Sequence, residues 1–208
     1  MNLNKEYFAQ AIDLWKEWNS KINIVSRRDI DNLYEHHILH SLAIAEYLER
    51  RSRAFPRGSS VLDLGTGGGF PGLPLAMIMP EVQFTLCDSI AKKIKVAQAI
   101  SDSLGLKNVT CVNARAESLP QCFDYVVSRA VTSLDNFYPW VKGKFRHSIL
   151  YLKGGDVDSE ILELCRKSGL KRENFSVWPI VEWLNDDYFS EKFVIEIGKD
   201  YLCAPKLD

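Results

Sequence analysis

The sequence predicts an α/β fold: a mostly parallel, doubly wound sheet with an N-terminal helical cap and an antiparallel C-terminal edge. Three observations lead to this prediction. From residue 60 onward, short apolar runs alternate with segments of helical period. The runs are continuously apolar, as expected of parallel strands covered on both faces. The last two strand-like runs follow each other with no helix between them, which is typical of an antiparallel pair.

The N-terminal region predicts two amphipathic helices. Residues 4–20 carry apolar side chains every three or four positions, and a second such pattern runs over residues 29–53, with Asp29 as its N-cap. Pro56 and Gly58 then end the helical pattern. Because neither helix is stable alone, we expect residues 1–58 to pack as a cap on a larger domain over residues 59–208.

The larger domain divides into alternating elements. The predicted strands are 61–64, 83–87, 109–112, 125–127 and 149–152, and the predicted helices are 72–79, 90–104, 134–146 and 157–169. Residues 114–120 form either a loop or a short helix. The antiparallel pair is predicted over residues 175–183 and 193–199.

Composition excludes several classes of protein. The 208 residues carry 26 Lys plus Arg against 27 Asp plus Glu, so a nucleic-acid partner must be met by a local basic patch. Five cysteines with no C-x-x-C pair argue against a disulfide or zinc framework and suit a reducing compartment. No signal peptide or membrane-spanning run is visible. These features predict a cytoplasmic protein with no membrane association, and we expect no metal site.

A glycine-rich loop follows the first strand of the domain. Residues 65–72 contain five of the chain's 12 glycines, which suits a loop that approaches a ligand closely. In doubly wound sheets the ligand lies at the carboxyl ends of the strands. The loop therefore predicts a nucleotide-type cofactor at that edge of the sheet.

Two aspartates narrow the choice of cofactor. Asp88 ends the second strand, where a carboxylate can accept hydrogen bonds from a ribose; the alternative is that it only caps the next helix. Asp63 precedes the loop in a D-x-G-x-G-x-G pattern. An acidic residue is unfavourable beside a dinucleotide pyrophosphate but acceptable beside the ammonium and sulfonium of S-adenosylmethionine. Its alternative is a side chain that only ties down the loop.

Five motifs in order resemble one protein family. They are Gly65-Thr66-Gly67-Gly68-Gly69-Phe70-Pro71-Gly72, Asp88-Ser89 with Lys92-Lys93, Arg115-Ala116-Glu117, Val127-Ser128-Arg129-Ala130 and Leu152-Lys153-Gly154. This set is similar to the glucose-inhibited division protein B family, bacterial enzymes that form 7-methylguanosine in 16S ribosomal RNA with S-adenosylmethionine. The resemblance implies the class I methyltransferase fold, with residues 59–208 as the methyltransferase domain.

The resemblance also implies a cofactor site. By resemblance, Gly65 and Phe70 contact the cofactor from the loop, Ala116 and Glu117 lie along the adenine, and Arg129 also touches the site. Gly67 of the same loop and Asp88, the candidate ribose ligand, complete the predicted cofactor-binding residues. The chain departs from the family pattern at His40, where Asp is usual, and at Gly68, where Pro or Ala is common.

Two of these residues have open interpretations from the residues alone. Glu117 meets the adenine edge or is a solvated loop charge. Arg129 binds the methionine carboxylate, a phosphate or the guanine O6. No catalytic base is predicted, because guanine N7 carries a lone pair and no proton, so that placement of the base suffices.

The function predicted from the sequence is therefore methyl transfer to guanine N7 in 16S ribosomal RNA or the small ribosomal subunit, by a monomer. The alternative is a sensor that binds S-adenosylmethionine or a nucleotide and transfers nothing. Clustered basic residues predict an RNA footprint around the cleft. They are Arg27, Arg28, Lys92, Lys93, Lys95, Arg115, Lys142, Lys144, Arg146, His147 and Lys153.

Overall fold

A computed structural model describes residues 4–120 and 122–198. Seven strands form one sheet. They are β1 (Ser60–Leu64), β2 (Gln83–Asp88), β3 (Val109–Asn113), β4 (Phe123–Arg129), β5 (Phe145–Gly154), β6 (Phe175–Pro179) and β7 (Lys192–Gly198). Their order across the sheet is β3-β2-β1-β4-β5-β7-β6. Strands β1 to β5 pair in parallel, whereas β7 pairs antiparallel with both β5 and β6. The predicted parallel sheet with an antiparallel C-terminal edge is confirmed.

Six α-helices within the described part of the chain cover this sheet. They are α1 (Ala9–Lys21), α2 (His40–Arg50), α3 (Gly72–Ile78), α4 (Ala91–Ser103), α5 (Leu134–Val141) and α6 (Val157–Ser168). Side chains alternate along the parallel strands, so Val61 joins a core with α1 to α4 while Leu62 joins a second core with α5 and α6. Both Val61 and Leu62 are fully buried. The sheet is therefore covered on both faces, as its continuously apolar strands predict.

The N-terminal region packs onto the first of these two cores. Trp15 on α1 is 1% exposed, and its indole Nε1 donates a 2.8 Å hydrogen bond to the carbonyl of Gly68 in the glycine loop. Asn19 stabilises the turn after α1 by accepting from the amides of Ile24 and Val25. The cap is thus fastened directly to the loop that follows β1.

The second helix of the cap is less regular than predicted. Residues 30–32 form a 3₁₀ turn, Leu33–Leu39 a π-helical segment, and only His40–Arg50 a regular α-helix. Asp29 occupies the N-cap position of this segment, as predicted, but its carboxylate makes no capping hydrogen bond. It accepts instead from the rings of His36 and His37 at 2.6 and 2.8 Å.

Three predicted boundaries in the second half are wrong. Helix α5 ends at Val141, not at residue 146, because Lys142 leaves the helical region and Gly143 adopts φ +82° in the turn before β5. Strand β5 begins at Phe145, four residues before the predicted start. Its first residues include the exposed Arg146 and His147, so the apolar pattern that predicts the strand begins only after them. Strand β6 ends at Pro179, and a 3₁₀ turn replaces its predicted continuation to residue 183. Residue 199, the predicted end of the last strand, lies outside the described residues.

Among residues 4–120 and 122–198, no helix combines the length and apolar character that crossing a bilayer requires.

Candidate active site

A cavity of about 400 Å³ opens at the carboxyl ends of the parallel strands. It lies where β1 adjoins both β2 and β4, the point at which the strand order reverses and where doubly wound sheets bind their ligands. Its volume falls within the range of about 300–1,000 Å³ that is typical of small-molecule sites. The lining consists of Leu64, Gly65, Asp88, Ser89, Ile90, Lys93, Ala114, Arg115, Ala116, Glu117, Arg129, Ala130, Val131 and Trp140.

The glycine loop brings backbone against one wall of this cavity. Gly65 has φ +72°, a conformation that residues with a Cβ rarely adopt. A Cβ on Gly65 would also lie 2.5 Å from Cγ2 of Val131. The loop is held to β2 by the amides of Gly65 and Thr66, which both donate to the carbonyl of Cys87. Glycine at this position therefore keeps the cavity open between two neighbouring strand ends.

Asp63 anchors the loop from below. Its side chain is fully buried, and Oδ2 accepts from the Thr66 hydroxyl at 2.6 Å and from the Gly72 amide at 2.7 Å. Burial raises the pKa of Asp63 to about 7, although both hydrogen bonds and Arg129 act to lower it. Oδ1 has no partner within the described part of the chain. Asp63 thus does tie down the loop, although it does not line the cavity itself.

Asp88 lines the cavity and also joins two loops. Its Oδ2 accepts from the amide of Gly67 at 2.9 Å, and its Oδ1 accepts from the amide of Ile90 at 2.8 Å. The two interpretations of this residue are therefore compatible. Asp88 organises the start of the next helix and still presents a carboxylate to the cavity.

Ala116 and Glu117 lie together in a 3₁₀ turn after β3, and both line the cavity. Ala116 is 4% exposed, whereas Glu117 is exposed to solvent. The segment from residue 114 to 120, which the sequence leaves as a loop or a short helix, is this short turn. A contact between Glu117 and an adenine stays a prediction.

Gly67 and Phe70 do not line the cavity. The amide of Gly67 is directed to Asp88, and Phe70 is 3% exposed with its ring turned towards the cap. Phe70 stacks on Trp15 with ring centroids 4.5 Å apart. Their predicted contact with a cofactor stays a prediction, and the structure gives both residues a clear supporting position.

Arg129 stands at the end of β4 with its guanidinium over the ring of Phe70, 4.8 Å from the ring centroid. Within the described residues this side chain makes no hydrogen bond or salt bridge, and it lines the cavity. Burial lowers the pKa of Arg129 to about 10, while Tyr188, Asp63 and Asp29 act to raise it. The site therefore holds a partly desolvated positive charge whose donors are available to an anion or an oxygen acceptor.

Val131 and Trp140 are two of the apolar lining residues that the sequence analysis did not predict. Val131, 38% exposed, follows Ala130, which adopts φ +47° just beyond β4. Trp140 reaches the cavity from α5, where its apolar period indicates only a core-facing helix. For Val131, the available indication in the sequence was its position just after a strand end. For Trp140, the sequence contains no such indication. Between residues 4–120 and 122–198 no group of His, Cys, Asp or Glu is arranged to hold a metal ion.

Comparison with known proteins identifies the same family that the sequence motifs resemble. A sequence model of the GidB family, described as rRNA small subunit methyltransferase G, matches residues 4–180. The Ribosomal RNA small subunit methyltransferase G of Flavobacterium psychrophilum is 45% identical over 204 residues, covering 94% of this chain and 91% of the relative. The chain belongs to this family. Another member, from Cytophaga hutchinsonii, is 46% identical over 194 residues, covering 89% of this chain and 86% of the relative.

Solved structures confirm the predicted class I methyltransferase fold. The magnesium protoporphyrin IX methyltransferase of Synechocystis PCC 6803, solved with bound S-adenosylmethionine, superposes with a TM-score of 0.63 at 14% identity, covering 93% of this chain and 94% of that one. A SAM-dependent O-methyltransferase of Thermotoga maritima gives a TM-score of 0.60 at 17% identity, covering 89% and 70%. At such identities the likeness concerns the fold alone.

The two departures from the GidB family pattern have different surroundings. A Cβ on Gly68 would lie 1.8 Å from Cγ2 of Ile24, so alanine at this position requires Ile24 to move. His40 is 6% exposed, and its Nε2 has no partner among the described residues. Burial, reinforced by the charges of Arg129 and Lys192, holds the pKa of His40 well below its usual value. His40 is therefore neutral, unlike an aspartate.

Proposed function

We propose that this member of the GidB family transfers a methyl group from S-adenosylmethionine to N7 of a guanine in 16S ribosomal RNA. The observation that carries the proposal is the cavity at the strand-order reversal, lined by the carboxylate of Asp88 and by the guanidinium of Arg129, which has no hydrogen-bond or ion-pair partner among the described residues. The cofactor is S-adenosylmethionine. The finer statement, that the acceptor atom is guanine N7, rests mainly on the family resemblance.

The residues present fit this cofactor. Asp63 lies beneath the glycine loop, outside the cavity lining, and its buried Oδ1 has no partner among the described residues; we propose that it supports the ammonium end of the cofactor from there. We propose that Asp88 holds the ribose and that Ala116 and Glu117 lie along the adenine. When bound, S-adenosylmethionine supplies a methyl group made electrophilic by its sulfonium.

The chemistry of the lining suits an acceptor with a lone pair. Within the described residues, the cavity wall contains no histidine, cysteine or tyrosine, the groups most often used as general base or nucleophile. Methylation at N7 requires neither, so the chain's contribution is to hold the base in place and exclude water. We propose that Arg129 makes that placement through its free donors, at the guanine O6, a phosphate or the methionine carboxylate.

The rim of the cavity supports an RNA substrate. Lys93 and Arg115 line the cavity itself, and Lys92 is adjacent in sequence. Arg27 and Arg28 are exposed in the cap segment before Asp29. None of these five side chains forms an ion pair within residues 4–120 and 122–198. Unpaired cations at the mouth of a site are what phosphate contacts require.

Loss of the gene tests the proposal. Mass spectrometry of 16S ribosomal RNA from a deletion strain should show one guanine without its 7-methyl group. Wild-type protein should restore the group, whereas Arg129→Ala should not. Arg57→Ala is the matched control, because Arg57 is an exposed arginine just before β1, at the opposite end of that strand from the cavity. Unchanged modification in the deletion strain would leave only the alternative, a sensor that transfers nothing.

Calorimetry separates the cofactors. The protein should bind S-adenosylmethionine, and tighter binding of NAD would contradict the proposal.

We further propose a cytoplasmic monomer with no membrane association, divided into a cap over residues 1–58 and a methyltransferase domain over residues 59–208. Sedimentation at several protein concentrations checks the monomer.

A further inference from the structure

The orientation of Arg129 is set by an aromatic face and not by an acidic partner. Its guanidinium lies over Phe70 at 4.8 Å from the ring centroid. Within the described part of the chain it makes no hydrogen bond or salt bridge. A planar guanidinium on an aromatic ring takes its position from the plane of that ring. Whatever fixes Phe70 therefore also fixes Arg129.

Phe70 is fixed by two residues of the cap. Trp15 stacks on it with an interplanar angle of 24°, and the Trp15 indole is tied to the Gly68 carbonyl. The ring of His37 packs against Phe70 from another side, with centroids 5.5 Å apart. Because Phe70 is 3% exposed, its ring has little room to reorient without moving one of these neighbours.

His37 is held in turn by Asp29. Its Nε2 lies 2.8 Å from Oδ2 of Asp29, while the other carboxyl oxygen lies 2.6 Å from Nδ1 of His36. Burial, with the nearby charge of Arg129, lowers the pKa of His37 to about 4, so at neutral pH the ring is neutral and donates its one N–H to Asp29. Burial acts to raise the pKa of Asp29, but the bonds from the two histidines outweigh it and lower the pKa. The carboxylate therefore stays ionised and fixes the ring plane of His37.

The ring of His36, the second partner of the Asp29 carboxylate, is also held by packing. His36 stacks on Tyr188 with centroids 3.5 Å apart and an interplanar angle of 3°. The carboxylate of Asp29 thus joins two rings that are each packed against a different part of the protein. A change at Asp29 would reach Phe70 through the ring of His37, which bonds to the one and packs against the other.

We propose that Asp29 and His37 are positioning residues of the methyltransferase: they fix the plane of Phe70 and thereby the place of the Arg129 guanidinium beside the cavity. The cap then has a role in the reaction although neither residue lines the cavity. This inference rests on the proposed function, in which Arg129 contacts the cofactor or the acceptor.

A double-mutant cycle tests the inference. Asp29→Asn leaves one of the two histidine rings without its carboxylate acceptor, and Arg129→Lys keeps the charge but removes the planar group that stacks on Phe70. Asp31→Asn is the control, since Asp31 is exposed in the same segment. The measurements are kcat/KM with small ribosomal subunits, the Kd for S-adenosylmethionine by calorimetry, and the melting temperature.

Arg129→Lys should change either kcat/KM or the Kd for S-adenosylmethionine, and we expect Asp29→Asn to change the same quantity by about tenfold. This effect is smaller than the ~100-fold loss that a 1 Å misplacement can cause. In the Arg129→Lys background the same substitution should change that quantity by less than about twofold. Its effect on melting temperature should be equal in both backgrounds. A merely structural role would give the same factor in both backgrounds, which would overturn the inference.

Phe70→Leu provides a second route if Asp29→Asn does not fold. It removes the aromatic face on which Arg129 lies. In the wild-type background it should change the same quantity, kcat/KM or Kd, that Arg129→Lys changes, and in the Arg129→Lys background it should no longer do so. An equal change in both backgrounds would overturn the inference. The two failures are distinguishable. If Arg129→Lys and Arg129→Ala alter neither quantity, both the inference and the proposed role of Arg129 fail. If they alter one and Asp29→Asn behaves like Asp31→Asn, only the positioning inference fails.

Discussion

Asp63→Asn should change how the stability of the protein depends on pH. Asp63 is fully buried at the end of β1, and burial raises its pKa to about 7 from 3.8. Asparagine is isosteric, and its one oxygen can take the place of Oδ2, which accepts from Thr66 and Gly72. The amide nitrogen then takes the place of Oδ1, which has no partner in the described residues. The variant removes the charge and keeps the loop anchored.

The magnitude follows from the two pKa values. Because the folded protein holds this proton more tightly than the unfolded chain, folding takes up a proton between pH 3.8 and about 7. Stability therefore falls as pH rises through that window. Between pH 5 and pH 8 the free energy of unfolding of the wild type should fall relative to the variant by roughly 2–3 kcal/mol. The two proteins share every other titratable group, so the difference isolates Asp63.

Urea denaturation without cofactor, followed by tryptophan fluorescence at pH 5, 6, 7 and 8, measures this difference. Asp13→Asn, at an exposed carboxyl on α1, is the control. A difference between wild type and Asp63→Asn that stays the same from pH 5 to pH 8 would refute the account of a buried carboxyl destabilised by its own charge.

Two further predictions concern the loop and the ribose site. Asp88→Ala should weaken S-adenosylmethionine binding by about 1–3 kcal/mol and lower the melting temperature, because two loop amides lose their acceptor; unchanged affinity in calorimetry would reduce Asp88 to a structural role. Gly65→Ala should destabilise the protein by more than Gly143→Ala. Both glycines have positive φ, but only Gly65 has a neighbour, Val131, in the space of the new methyl group. Equal losses in urea denaturation would show that the contact with Val131 is unimportant.

The chain's periodicity predicts most of the fold because its strands are continuously apolar and its glycines mark one ligand-binding loop. The order of β1 to β5 is the one that general rules favour for doubly wound sheets. The strand ends identify Asp88 and Arg129 as neighbours of one cavity, and Asp63 as the buried anchor of the glycine loop beside it. These residues are predictable because strand ends in such a sheet converge. No longer-range information is needed.

What the sequence did not indicate depends on tertiary contacts. A polar residue before a helix has the same local pattern whether its side chain caps the helix or binds side chains two turns further on, so the bonds of Asp29 to His36 and His37 could not be predicted. The stacking of Phe70 on Trp15 of the cap was not predictable either, and the contact of Phe70 with a cofactor stays a prediction. Trp140 has the sequence context of a core residue in an amphipathic helix, and only the packing of α5 against the sheet brings it to the cavity.

The most direct test of the central claim uses purified protein, S-adenosylmethionine and small ribosomal subunits from the deletion strain. Borohydride reduction followed by aniline cleaves RNA at 7-methylguanosine, so primer extension locates the modified base. The account predicts one new stop in 16S ribosomal RNA that needs both protein and cofactor and is lost with Arg129→Ala. Methyl incorporation without cleavage, or no incorporation at all, would contradict transfer to guanine N7.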